Sequence, residues 1–148
     1  MSTINILYGT ESGNAELVAD DVAETLNTAG VKAEVVAMDL YDVSELSEAG
    51  TVVVITSTYG EGELPETTAP FQEALLAERP DLSGLRFAAF GLGDSTYETY
   101  NNGIAVVSSD LIGLGARQIG ETGRHDAASG ESLTDVAVVW AAKVLDAL

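Results

Sequence analysis

The chain has 148 residues, of which 46% are hydrophobic, with 15 glycines and no cysteine. That length suits one domain spanning residues 1–148 with roughly two-thirds of its unfolded surface buried, while the missing cysteines exclude disulfides, a thiolate nucleophile and zinc–thiolate sites. Asp and Glu number 24 against 6 Lys and Arg, a net charge of −18, which repels nucleic acid and anionic membranes and would steer in a basic partner protein.

Ile4 to Tyr8 (INILY) is the first strand candidate, and Val18, Ala19, Val22 and Leu26 then recur at helical spacing up to Gly30. Lys32 to Ala37 (KAEVVA) reads as a second strand and Thr51 to Thr56 (TVVVIT) as a third, unbroken in its apolar character as a strand covered on both faces should be. Pro70, Phe71, Ala74 and Leu75 mark a short helix with proline near its first turn. Arg86 to Gly91 (RFAAFG) is the fourth strand. Ile104, Val107, Leu111 and Leu114 outline another helix, and a short fifth strand lies around Arg117-Gln118-Ile119. The last helix carries Leu133, Val136, Ala137, Trp140, Val144 and Leu148 on one stripe. Alternating strands and helices imply an α/β fold, a doubly wound parallel sheet with helices on both faces. No stretch approaches the ~20 apolar residues of a membrane span. The N-terminus has neither a basic region nor a cleavage site, so a cytoplasmic protein is expected.

Ligands of open parallel sheets bind beyond the C-terminal ends of the strands, where strand order reverses. Three of the loops there are unusual. After the first strand, Gly9-Thr10-Glu11-Ser12-Gly13-Asn14-Ala15-Glu16 runs straight into a helix, offering hydroxyls and free N–H groups to an anion. None of the basic residues, Lys32, Arg79, Arg86, Arg117, Arg124 and Lys143, lies in it, and the Gly-Lys-Ser/Thr of a nucleoside triphosphate site is absent. Alone, the loop reads equally as a helix start capped by Ser12. After the third strand comes Ser57-Thr58-Tyr59-Gly60-Glu61-Gly62-Glu63, and after the fourth Gly91-Leu92-Gly93-Asp94-Ser95-Thr96-Tyr97-Glu98-Thr99-Tyr100-Asn101. Each places a tyrosine just past a strand end. In a sheet of order 2-1-3-4-5 these loops converge, and an anion site between two aromatic rings suits a flat phosphorylated ligand.

These loops resemble those of the flavodoxin family, over nearly the whole chain. Gly9 to Asn14 is similar to the family's phosphate loop, and Ser57-Thr58-Tyr59-Gly60 and Gly91 to Tyr97 to its two isoalloxazine loops. Tyr59-Gly60-Glu61-Gly62 and Tyr97-Glu98-Thr99-Tyr100-Asn101 also resemble the FMN domains of diflavin reductases. Residues 80–87 and 115–122 look most like the short MioC-type flavodoxins. The resemblance implies FMN as cofactor, with its phosphate held by Thr10, Glu11, Ser12, Gly13, Asn14 and Ala15. It places Tyr59 and Tyr97 against the flavin, with Ser57, Thr58, Gly60, Leu92, Gly93, Asp94, Tyr100 and Asn101 lining the ring site and Asp126 touching the ligand. Ala15 stands where many flavodoxins carry threonine, which removes one hydroxyl from the set.

The same resemblance implies a monomeric electron carrier rather than an enzyme, with no catalytic or metal-binding residue. It would pass low-potential electrons one at a time between an NAD(P)H-dependent flavodoxin reductase and acceptor proteins with basic docking surfaces. Glu11, Glu61, Glu63, Asp94 and Glu98 beside the site disfavour added negative charge on the ring, and each 1.4 kcal/mol of such repulsion lowers a one-electron potential by about 60 mV. An FMN-dependent NAD(P)H:quinone reductase of the same fold is the alternative, set lower because every connection here is short. A phosphorylated receiver domain is disfavoured by Thr56-Ser57 after the third strand and by the absence of lysine between Lys32 and Lys143. His125 reads as a solvent-exposed surface residue, Trp140 as core, and Tyr8 and Tyr41 as packing residues.

Overall fold

Runs of β-branched residues form strands, and stripes of helical period form helices, throughout the residues that the structure, a computed structural model, describes: 3–10, 13–58, 64–93 and 102–148. The elements are β1 (Ile4–Gly9), α1 (Asn14–Thr28), β2 (Ala33–Ala37), β3 (Thr51–Ser57), α2 (Thr68–Glu78), β4 (Arg86–Gly93), α3 (Asn102–Gly113), β5 (Arg117–Gln118), β6 (Gly123–Asp126) and α4 (Leu133–Ala147). All strand pairs are parallel, and the sheet runs β2-β1-β3-β4-β5 with β6 also paired to β4. This is the α/β arrangement and strand order expected from the sequence. Among the described residues no helix is long and apolar enough to cross a membrane.

Alternation along the central strands sends side chains to two cores. Val53 and Ile55 of β3 join Ile4, Ile6, Ala88 and Phe90 beneath α1 and α4, while Val52 and Val54 join Leu7, Phe87 and Ala89 beneath α2 and α3. The apolar stripe of α1 is fully buried, and the helix stops where Gly30, at φ 89°, lets Val31 N–H turn back to Leu26 O at 2.9 Å. Trp140 is 6% exposed and meets Phe90 edge-on with ring centroids 5.2 Å apart, so its assignment to the core holds. Tyr41 is partly buried against the second core, and that burial raises its phenol above the ordinary value.

Two features differ from expectation. The segment between β2 and β3 carries 3-10 turns at Met38–Leu40 and Val43–Glu48, which tuck Met38, Val43 and Leu46 into the second core. Their apolar residues are too few for a periodic signal. The expected fifth strand, present as Arg117–Gln118, is also followed by a sixth, β6, which pairs with β4 as well. Phe87 pairs with Gln118 and Phe90 with Gly123, so residues 119–122 bulge opposite residues 88 and 89. Trp140 Nε1 pins the bulge by donating to Glu121 O at 3.3 Å. Gly123 then lets the chain rejoin β4, because a Cβ there would lie 2.5 Å from both the Phe90 and Trp140 rings.

Candidate functional site

The C-terminal ends of β1, β3, β4 and β6 lie side by side along one edge of the sheet. Gly9 is in register with Thr56, Ser57 with Leu92, and Gly93 with Asp126. Thr10, Ser57, Thr58, Leu92, Gly93 and Asp126 are therefore brought to a common edge, although Thr10 and Asp126 are far apart in sequence. Asp126 ends a strand rather than sitting in a free loop, and it caps the turn that follows by accepting from Ala128 N–H at 2.9 Å. Glu11, Ser12, Tyr59, Gly60, Asp94, Tyr97, Tyr100 and Asn101 lie outside the described residues.

The β1–α1 connection builds an anion-binding end from backbone alone. Gly13 is the N-cap of α1, at φ 96°, a left-handed conformation that glycine adopts without strain. The Gly13 N–H donates to Thr10 Oγ1 at 2.8 Å, which folds the loop over itself. The first intrahelical bond is Leu17 N–H to Gly13 O at 3.3 Å, so the N–H groups of Asn14, Ala15 and Glu16 precede the ladder and point outward. With no side chain, Gly13 cannot cap them, and the space a Cβ would occupy there is open. Ala15 is fully buried in the core, so only its N–H can face a ligand. Uncharged N–H and hydroxyl donors at a helix start are the donor set that fits a phosphate.

Thr58 ties the other two loops at their roots. Its N–H donates to Leu92 O at 3.0 Å, and its Oγ1 accepts from Gly103 N–H at 2.8 Å. One residue thereby fastens the end of β3 to the end of β4 and to the start of α3. Its hydroxyl oxygen thus has a partner in the fold itself, which adds a supporting role to the position expected for it beside the ligand. Beneath the edge, Thr56 Oγ1 donates to Ser57 O at 3.1 Å and lies 2.7 Å from Thr68 Oγ1, both threonines being fully buried.

Two residues outside the sequence-predicted set also belong here. Tyr8 packs on the first core, as expected of it, but its hydroxyl also donates to Glu16 Oε2 at 2.7 Å. That bond to the carboxylate, aided by burial, pushes the Tyr8 phenol up to about 12. His125 is half-buried rather than fully exposed, because Leu92 pairs with it in the sheet and its Nε2 lies 2.9 Å from Glu131 O. Glu16 is eight residues from Tyr8 and Glu131 six from His125, and neither pair lies within one element, so no helical or strand period links them.

A cleft of about 700 Å³ opens between the 119–122 bulge and α4, where Arg124, Lys143, Glu121, Glu131 and Asp135 surround Trp140 and valines. None of the sequence-predicted site residues lines it. Its charged groups are of both signs, and no described residue of the β1–α1 connection lines it.

Comparison with known proteins gives one consistent result. The sequence model of the family described as Flavodoxin matches residues 6–140. Protein MioC of Escherichia coli O157:H7 is 37% identical over 140 residues, covering 95% of this chain and 94% of that protein. NADPH-dependent diflavin oxidoreductase 1 of Debaryomyces hansenii is 32% identical over 152 residues, which span 100% of this chain and 25% of that protein. Among solved structures, a point mutant of flavodoxin from Pseudomonas aeruginosa superposes with a TM-score of 0.89 at 32% identity, over 99% of this chain and 98% of that one.

Proposed function

The chain belongs to the flavodoxin family, whose members bind FMN, and from that membership we propose that residues 1–148 form one FMN-binding domain that carries low-potential electrons singly between an NAD(P)H-dependent reductase and acceptor proteins. The observation that carries this reading is the outward-facing start of α1, with its free N–H groups, on the same sheet edge as the ends of β3 and β4. FMN in flavodoxin is the standing example of a ligand at such a switch point. Thr10, Gly13, Asn14 and Ala15 would hold the phosphate, joined by Glu11 and Ser12 from the same loop. Thr58, Leu92 and Gly93 would carry the segments that flank the ring, among them Tyr59, Gly60, Asp94, Tyr97, Tyr100 and Asn101, with Ser57 and Asp126 beside them.

When bound, FMN supplies the redox chemistry. The chain's part is to bind and orient it with neutral donors and to surround it with carboxylates. A phosphate held by N–H groups and hydroxyls keeps its own charge, so the site adds to the net charge of −18 rather than cancelling it. That charge steers basic partners toward the molecule, an effect that salt screens. Similarity to a protein named as an NADPH-dependent diflavin oxidoreductase supports a donor linked to NADPH. A cytoplasmic monomer fits this role.

The test is a reconstituted chain of NADPH, a flavodoxin reductase, the FMN-loaded protein and cytochrome c, a basic acceptor. Cytochrome c reduction is expected to need all components and to slow about tenfold or more as ionic strength rises from about 0.05 to about 0.5 M, which shortens the screening length roughly threefold. Rapid NADPH oxidation by the protein alone would instead point to the quinone-reductase reading.

A further inference from the structure

A glutamate at the third position of a helix can fold back over the first turn, its carboxylate accepting from the exposed backbone N–H of the N-cap. Glu16 holds that position in α1. It does not fold back: the Gly13 N–H is taken by Thr10 Oγ1, and the Glu16 carboxylate is held 2.7 Å from the Tyr8 hydroxyl on β1. An anion already attached to the chain would otherwise compete for the same N–H groups that a phosphate needs. A helix N-terminus attracts a carboxylate and a phosphate for the same reason.

We propose that Tyr8 is a positioning residue that keeps this internal carboxylate out of the phosphate site, leaving the first-turn N–H groups of α1 open for the ligand. The proposal rests on the FMN reading of that edge. Tyr8 touches no ligand itself; it acts through Glu16. Its side chain is suited to the task because the ring packs on the first core while the hydroxyl reaches the surface. The raised phenol of Tyr8 is consistent with a bond that persists at neutral pH.

The experiment is a double-mutant cycle on the apo-protein, titrated with FMN and, in parallel, with riboflavin, which lacks the phosphate. Tyr8→Phe keeps the ring and its packing but frees Glu16. It is expected to weaken FMN binding about tenfold, equivalent to about 1.4 kcal/mol, and to leave riboflavin binding and the apo-protein's melting temperature essentially unchanged. In the Glu16→Ala background, where no carboxylate can fold back, the same Tyr8→Phe change is expected to alter FMN affinity less than twofold. The proposal is overturned if Tyr8→Phe leaves FMN affinity unchanged in the wild-type background. It is equally overturned if the loss persists in the Glu16→Ala background, or if riboflavin is weakened as much as FMN, since either would mark a general structural role. Failure of the wild-type protein to bind FMN would overturn the functional reading as well, and is seen before any variant is made.

Discussion

Replacing Gly9 with alanine is expected to lower the unfolding free energy by about 3 kcal/mol, the sum of overpacking and a broken buried hydrogen bond. For a chain of this size that lowers the melting temperature by about 10 °C. Gly9 ends β1 at the foot of the loop proposed to hold the phosphate, and its φ is not positive, so the constraint is space. A Cβ there would lie 2.8 Å from Thr68 Cβ and 3.1 Å from Met38 Sδ, with Thr68 Oγ1 closer still. Thr68 has little room to yield, because it is fully buried and its hydroxyl is 2.7 Å from that of Thr56. Relief must come from separating β1 from α2 or from turning Thr68 away from its partner. Thermal unfolding of Gly9→Ala, Thr68→Ala and the double variant measures this. The double variant is expected to be more stable than the sum of the two single losses allows, because removing the hydroxyl removes part of the clash. Strict additivity would mean the two side chains do not meet.

The second large effect is expected from Gly103→Ala. This residue starts α3 against the end of β3, and a Cβ would stand 2.5 Å from Ser57 O and 3.2 Å from Thr58 Oγ1. Backbone cannot swing aside as a side chain can. The helix must back away, which breaks the 2.8 Å bond from Gly103 N–H to Thr58 Oγ1. A loss of about 2 kcal/mol is expected after allowing for alanine's better helix propensity, along with about tenfold weaker FMN binding, because the roots of both ring-flanking segments move. Gly113, in the last turn of the same helix, is the internal control. A Cβ there meets nothing within 4 Å and its φ is not positive, so Gly113→Ala is expected to be neutral or to stabilise by about 0.5 kcal/mol. Equal destabilisation by both substitutions would show that α3 tolerates no alanine for reasons unrelated to its contact with β3.

Periodicity made the sheet legible because each central strand is buried on both faces. A run such as Thr51-Val52-Val53-Val54-Ile55-Thr56 has no other economical place than between two layers of helix. The stripe of Val18, Ala19, Val22 and Leu26 similarly permits only one inward face for α1. What periodicity could not reveal were contacts set by tertiary approach. The bulge at residues 119–122 depends on Gly123 fitting between Phe90 and Trp140, a packing event with no local pattern. A Ser12 cap was one of two even readings of the first loop; Gly13 is the N-cap of α1, and its own N–H is taken by Thr10 Oγ1, three residues back. Thr58 was readable as a site residue but not as a fastener, since its partner Gly103 is 45 residues away. Tyr8 and Glu16 could be paired only once β1 and α1 were known to pack together.

The central claim is that neutral donors at the start of α1 grip a phosphate, and equilibrium titration of the apo-protein with FMN against riboflavin tests it most directly. Two or more net hydrogen bonds to a charged group predict that FMN binds at least about a hundredfold more tightly, roughly 2.7 kcal/mol. Equal affinities for the two flavins, or no uptake of either, would contradict the claim.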